Sequence, residues 1–166
     1  ETMESDVVMT FSPDGNCTPE VIPDLIEEMQ KGFDMVIASR YKDGAKSYDD
    51  TLVTAFGNWL FTKIINVLYG GKYTDSLTNF RIYKKSLIKD LDLDKEETYA
   101  SGEKLFNIAM GIEPILSTRA VKKSLKIGEI AADEPARIGG ETKLRIIKQG
   151  SAYLFQILRE KFVWHC

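Results

Sequence analysis

The chain has 166 residues, 43% apolar and 28% charged, with 22 Lys and Arg against 25 Asp and Glu for a formal net charge of −3. That balance suits one globular domain with a sizeable core and excludes a collagen-like chain, a disordered tail and a disulfide scaffold. No run of about 18 uncharged apolar residues occurs, so no transmembrane helix is expected, and the acidic start Glu1 to Asp6 does not read as a signal peptide.

Asp6 to Phe11 reads as a short buried strand, followed by a turn at Ser12-Pro-Asp-Gly-Asn16. Thr18-Pro19-Glu20 opens a helix with Thr as the cap, and Val21, Ile22, Leu25, Ile26 and Met29 form one face before it ends near Gly32. Asp34 to Ala38 is a second buried strand. Strand, helix, strand over about 30 residues predicts a βαβ unit in a parallel sheet, with the polar strand ends 12–16 and 39–41 side by side. A polar loop, Lys42 to Asp50, leads into a long helix, Thr51 to Tyr69. It is apolar almost all round, apart from the row Thr54, Asn58, Thr62 and Asn66 and the single charge Lys63. Such a helix is either deeply buried or lies in a membrane interface. After Gly70-Gly71 come an edge-like strand from Phe80 to Tyr83, a helix around Gly102 to Met110, a strand from Leu125 to Ala131 and a final helix from Thr142 to about Lys161. The last helix carries Leu144, Ile147, Leu154 and Leu158 on one stripe.

The chemistry available is narrow. Cys17 and Cys166 show no metal or redox spacing, and the sole histidine, His165, is the penultimate residue, so a His-dependent triad or zinc site is not expected. Carboxylates, a carboxylate-bound metal, hydroxyls or Arg and Lys must carry any catalysis. From Arg137 to Lys161 six basic residues face two acidic ones, a net of +4, while the rest holds 16 basic and 23 acidic residues. This asymmetry suits an anionic partner or a solvated amphipathic helix. The acidic overall charge and the lack of an aromatic-basic motif argue against nucleic acid. Asp14 and Asn16, two apart in a tight loop, offer oxygen ligands to a hard divalent cation, or simply make a turn. Arg40 at a strand end suits phosphate, or an ion pair. The loop Arg137-Ile-Gly-Gly-Glu-Thr-Lys143 sets two cations around glycines, a phosphate clamp or a surface turn.

Taken in order, Val8-Met-Thr-Phe-Ser-Pro-Asp-Gly-Asn16, Thr18-Pro-Glu-Val-Ile-Pro-Asp-Leu25 and Gly32-Phe-Asp-Met-Val-Ile-Ala-Ser-Arg-Tyr41 resemble family 2 glycosyltransferases of GT-A fold, in the polyprenyl- and dolichol-phosphate sugar transferase branch. Asp75-Ser-Leu-Thr-Asn-Phe-Arg81 is similar to that branch's Asp-x-x-Ser-Gly-Phe-Arg segment. Glu134-Pro-Ala-Arg137 with Gly140-Glu-Thr-Lys-Leu144 is similar to its late Arg-x-x-Gly-x-Ser-Lys-Leu loop. The resemblance implies an α/β chain, a partial GT-A (Rossmann-like) mixed sheet flanked by helices, with residues 1–166 forming the metal- and acceptor-side part and ending in amphipathic helices. It implies inverting, metal-assisted transfer of a sugar from a nucleotide-diphosphate donor to a lipid-phosphate or glycan acceptor. The alternative is a non-catalytic relative that serves as a binding or scaffold protein. Asp14 and Asn16 would hold Mg²⁺ or Mn²⁺, although Ser12 stands where the family's first metal-motif Asp belongs. Arg40, Arg81, Arg137 and Lys143 would bind donor or acceptor phosphate, and Asp75, with Glu103 second, would be the general base. A peripheral place on the inner membrane face, in the cytoplasm, and a homo-oligomer complete the expectation. In the family the nucleotide pocket is built largely by about 90 residues ahead of the metal motif. The chain on its own is therefore expected to be inactive, or to complete its sheet with another chain.

Overall fold

The computed structural model describes residues 6–12, 15–138 and 146–165. Its elements are β1 (Val7–Thr10), α1 (Ile22–Gln30), β2 (Met35–Ser39), α2 (Leu52–Tyr69), β3 (Arg81–Lys84), α3 (Leu87–Asp90), α4 (Glu97–Phe106), α5 (Glu113–Lys122), β4 (Ile127–Ala131) and α6 (Ile146–Val163). The expected class, a mixed α/β sheet flanked by helices, is what the chain forms.

The sheet order is β1-β3-β2-β4. β3 runs antiparallel to both β1 and β2, pairing Met9 with Ile82 and Val36 with Ile82, and β4 runs parallel to β2. Two expectations change. The strand at 80–83 is interior, not an edge, and Arg81, Ile82 and Tyr83 are all buried. β1 and β2 are consequently not neighbours, because β3 lies between them. Local pattern could not show this, since insertion of a distant strand is a long-range event.

β2 is buried along its whole length and alternates between two cores. Met35 and Ile37 face a cluster with Ile65, Ile115, Leu116 and Ile157, from α2, α5 and α6. Val36 and Ala38 face Leu25 of α1 with Phe80 and Ile82. α1 enters through a 3₁₀ turn at Pro19–Val21; Thr18 does not cap it but donates to the Asp133 carbonyl at 2.8 Å.

α2 begins at a capping box, in which Thr51 and Thr54 satisfy each other's backbone N–H groups, and stops at Gly70, whose φ of 78° is the left-handed conformation glycine adopts without strain. Its orientation is the reverse of what hydropathy suggests. The polar row contributes Asn58 and Thr62 to the interior, while Leu52 is 92% and Val67 80% exposed, with Val53, Phe56 and Trp59 also open. α6 is turned in the same sense: Gln156 and Glu160 are buried, whereas Ile147 and Leu158 of the expected apolar stripe are exposed. Leu144 lies outside the described residues. Two short helices, α3 and α5, were not anticipated; α5 is buried from Pro114 to Ala120 and so shows no amphipathic period. The helix expected at 102–110 starts earlier and ends at Phe106, with Asn107 as its left-handed cap.

A buried ion pair fastens α5 to α6. Arg119 Nε and Nη2 donate to Glu160 at 2.7 and 3.1 Å, Nη1 to the Leu91 carbonyl and Thr98, and Gln156 Nε2 donates to Glu160 Oε1 at 2.8 Å. Stranding one charge of such a pair is costly, so Glu160→Leu is expected to lose about 3–5 kcal/mol of stability. Ile147→Glu, on the stripe that hydropathy assigns to the core, should change it by no more than about 0.5 kcal/mol. Chemical denaturation of both variants checks the reversed orientation.

Candidate active site

The site grows from the carboxyl ends of the parallel strands β2 and β4, where ligands collect in open α/β sheets. Arg40 directly follows β2, and Glu134 follows β4 by three residues. Between α2 and β3 in the chain, the irregular segment 73–78 carries Asp75.

That segment is buried except at Thr74 and Leu77, so its inward polar groups need partners in the protein. The inward row of α2 supplies them. Asn66 bonds both the N–H and the carbonyl of Tyr73, Thr62 bonds Ser76, and Asn58 Nδ2 donates to Asp75 Oδ1 at 3.3 Å. From the other side the Glu129 carboxylate of β4 accepts from the Thr74 N–H and hydroxyl and from the Asp75 N–H. Burial raises the Glu129 pKa against those hydrogen bonds.

Asp75 itself has no exposed surface. Arg40 donates to it from Nε at 2.7 Å and from Nη2 at 3.1 Å, and the Leu77 and Thr78 N–H groups add two more bonds. Burial alone would raise its pKa, but the Arg40 charge and these donors outweigh that and hold it below the usual value of 3.8. A carboxylate so saturated and so weakly basic is a poor proton acceptor. Its geometry is that of an anchor for Arg40.

The guanidinium's remaining edge meets more acid. Nη1 donates to Glu134 Oε2 at 3.2 Å and lies 3.9 Å from Asp50 Oδ2, and the Tyr41 ring lies over its carbon at 5.4 Å. The Tyr41 hydroxyl donates to Asp50 and accepts from Asn58. Glu134 also accepts from Ser47 Oγ, and from Asn16 Nδ2 at 3.1 Å. The strand-end loops at 16 and 40 therefore do meet, through Glu134 rather than as sheet neighbours. Arg137 is forked onto Asp49, with Nε at 3.0 Å from Oδ1 and Nη2 at 2.5 Å from Oδ2; those hydrogen bonds lower the Asp49 pKa against the effect of burial.

Of the residues singled out in the sequence, Arg40 and Asp75 thus meet directly and Asn16 joins Arg40 through Glu134, with Arg137 on the adjoining loop. Arg81 does not join them. It is fully buried, and its guanidinium is spent on the Thr78 and Ser76 carbonyls and on Ser117 Oγ, so it staples segment 76–78 to α5 and presents nothing to a phosphate. Glu103 accepts from the Met110 N–H, and among the described residues no hydrogen bond or ion pair joins it to the Arg40 cluster. Asp14 and Lys143 lie outside the described residues. Among those described, no group of three His, Cys, Asp or Glu could hold a metal, and the carboxylates beside Asn16 are already held by Arg40 and Arg137. Glu134, Asp50, Asp49 and Glu129 were not foreseen, whereas the four-residue spacing of the α2 polar row was a visible signal for Asn58.

A groove of about 420 Å³ between α2 and α6 opens onto this cluster. Arg40, Asp50 and Asn58 form its polar end, and Phe56, Leu60, Phe61, Ile146, Ile147 and Leu154 are among its apolar walls.

Glycosyl transferase family 2 matches residues 1–92. The chain is 27% identical over 146 residues to a dolichyl-phosphate hexose transferase of Haloferax volcanii, covering 88% of this chain and 57% of the relative. It is 26% identical over 160 residues to an undecaprenyl-phosphate mannosyltransferase of Micrococcus luteus, covering 94% and 64%. It is 31% identical over 91 residues to a prophage bactoprenol glucosyl transferase homolog of Escherichia coli, covering 55% and 28%. The chain thus spans somewhat over half the length of the first two.

Because the folded pKa of Asp75 is depressed, its ion pair contributes stability that is full above pH 3.8 and lost as pH falls through the lower, folded value. Asp75→Asn should lower stability at pH 7 by about 3 kcal/mol. It should also flatten the acid limb of the stability curve below pH 4, as denaturation at a series of pH values will show.

Proposed function

The chain belongs to glycosyl transferase family 2, and from that premise we propose that it serves transfer of a sugar from a nucleotide-diphosphate donor to a lipid phosphate. The observation that carries this reading is the groove: apolar walls from α2 and α6 ending at the Arg40 guanidinium. A prenyl chain suits the walls and a phosphate suits the fork. The names of the relatives in Haloferax and Micrococcus point to the same acceptor class.

In this reaction an oxygen of the acceptor phosphate attacks the anomeric carbon of the sugar, the bond from that carbon to the nucleotide diphosphate breaks, and inversion follows. A phosphate oxygen is already anionic, so no general base is needed. This agrees with an Asp75 that positions Arg40 and takes no proton. Arg40 would orient the acceptor phosphate; Arg137, released from Asp49, and Lys143 would meet the leaving diphosphate. Asp14 and Asn16 remain the residues proposed for Mg²⁺ or Mn²⁺, which when bound would neutralise charge on that leaving group.

The exposed Leu52, Val53, Phe56, Trp59 and Val67 of α2 continue into the groove wall, and Lys63 lies among them. We assign this face to the surface of the bilayer that holds the acceptor, with aromatic side chains at headgroup depth. No described helix is long and apolar enough to cross a membrane.

Two measurements test the reading. Calorimetry should show farnesyl phosphate in micelles binding the chain, with a loss of roughly tenfold or more in Arg40→Gln. Equal binding of farnesol, or no effect of Arg40→Gln, would overturn it. Nucleotide-sugar binding should depend on Mn²⁺ and lose that dependence in Asp14→Ala; metal-independent behaviour would favour the scaffold alternative. Separately, Phe56→Glu with Trp59→Glu should cut co-sedimentation with anionic vesicles by roughly tenfold.

A further inference from the structure

We propose that Glu134 is a built-in stand-in for the substrate phosphate, a carboxylate that occupies the ligand-facing edge of Arg40 and yields it when a phosphate arrives. The proposal rests on the reading of Arg40 as a phosphate-binding residue and adds the contact that must break.

The edges of the guanidinium are not equivalent. Nε and Nη2 face Asp75, which is fully buried and held by Asn58 and the Leu77 and Thr78 N–H groups as well, so that edge is fixed. Nη1 is what remains for a ligand entering along the groove, and Glu134 Oε2 sits on it at 3.2 Å by a single bond. Asp50 stands 3.9 Å from the same nitrogen. Three carboxylates therefore share one guanidinium, and the other arginine at the site, Arg137, is forked onto Asp49. A phosphate dianion cannot add to this arrangement without adding charge repulsion; it has to replace one carboxylate.

Glu134 is the one placed to leave. Its other partners are neutral donors, the Ser47 hydroxyl and the Asn16 amide, the latter at 3.1 Å from Oε1. Its backbone is pinned independently, since the Glu134 N–H donates to the Lys46 carbonyl and the Tyr48 N–H to the Glu134 carbonyl. The carboxylate can thus release Nη1 while its main chain and two side-chain bonds stay in place. Asp75 has no such alternative, because losing Arg40 would leave its buried charge without a counter-charge or solvent access. The exchange is one carboxylate for one phosphate on the same nitrogen, with no covalent change. It gives selectivity: a weak monoanion does not displace Glu134, and a phosphate dianion does.

Calorimetric titration of the parent chain and Glu134→Gln provides the test, with farnesyl phosphate and, separately, UDP as probes. The carboxamide keeps the shape and removes the competing charge, so at least one probe should bind about tenfold more tightly. A gain for farnesyl phosphate places the lipid headgroup on Nη1, and a gain confined to UDP places the nucleotide diphosphate there. Adding Arg40→Gln should erase the gain. Glu134→Asp, which keeps the charge but withdraws it from Nη1, should move in the same direction by a smaller factor, and it covers the case in which the carboxamide fails to fold. Unchanged or weaker binding of both probes in Glu134→Gln overturns the proposal. Equal binding by the parent and Arg40→Gln would instead sink the reading of Arg40 on which it rests.

Discussion

A carboxylate without solvent has to be neutralised by protein, and much of this molecule follows from doing so for Asp75. The charge cannot be left bare, since an unpaired buried carboxylate would protonate or unfold its surroundings. Arg40 answers it from the end of β2, the 77–78 backbone answers it from its own turn, and Asn58 answers it from α2. Each of these groups is thereby positioned at the mouth of the same groove. Glu129 extends the constraint to β4 by holding the 74–75 backbone from the opposite side. Three elements distant in sequence, β2, α2 and β4, are thus tied to the short segment that carries this carboxylate, which makes the arrangement of the site a consequence of folding rather than of ligand binding.

The same requirement explains why α2 lies with its polar row inward. Segment 73–78 is irregular, so its backbone groups find no ladder partners and take side chains instead. Thr62 and Asn66 supply these at a spacing that matches one face of a helix. Once that row is committed to the interior, Val53, Phe56 and Trp59 must point outward. The hydrophobic cost of exposing them is offset only if something apolar covers them, and the proposed function gives that place to the bilayer holding a lipid acceptor.

What was legible in the sequence divides along the same line. The strands at 7–10, 35–39 and 127–131 and the helices at 22–30 and 52–69 show in local hydropathy and turn chemistry, because their signals are contained in a few consecutive residues. The place of β3 does not show, since the contact between Met9 and Ile82 is made across some seventy residues of chain. Nor does the burial of Gln156 and Glu160, whose reason is Arg119 on another helix. Arg40 is legible from its place at a strand end and Asp75 from the resemblance, but their joint geometry gives Asp75 a task other than proton transfer. Glu134 stood inside a recognised segment without being read as a functional residue, because its meaning lies in which nitrogen it occupies.

Two buried arginines and one half-buried one show how one side chain acquires different work from its partners alone. Arg81 is spent on neutral oxygens, the Ser76 and Thr78 carbonyls and Ser117. Among the described residues no carboxylate contacts its charge, and burial lowers its pKa. Arg119 is closed by a bidentate carboxylate deep between α5 and α6, and its last nitrogen goes to backbone and Thr98. Arg40 resembles Arg119 on one edge and differs on the other, where Glu134 holds a single bond and Arg40 itself lines an apolar groove. Composition and motif treat all three alike. Only the edge that a guanidinium leaves to an exchangeable partner distinguishes a binding arginine from a structural one, and of these three side chains Arg40 alone has that edge.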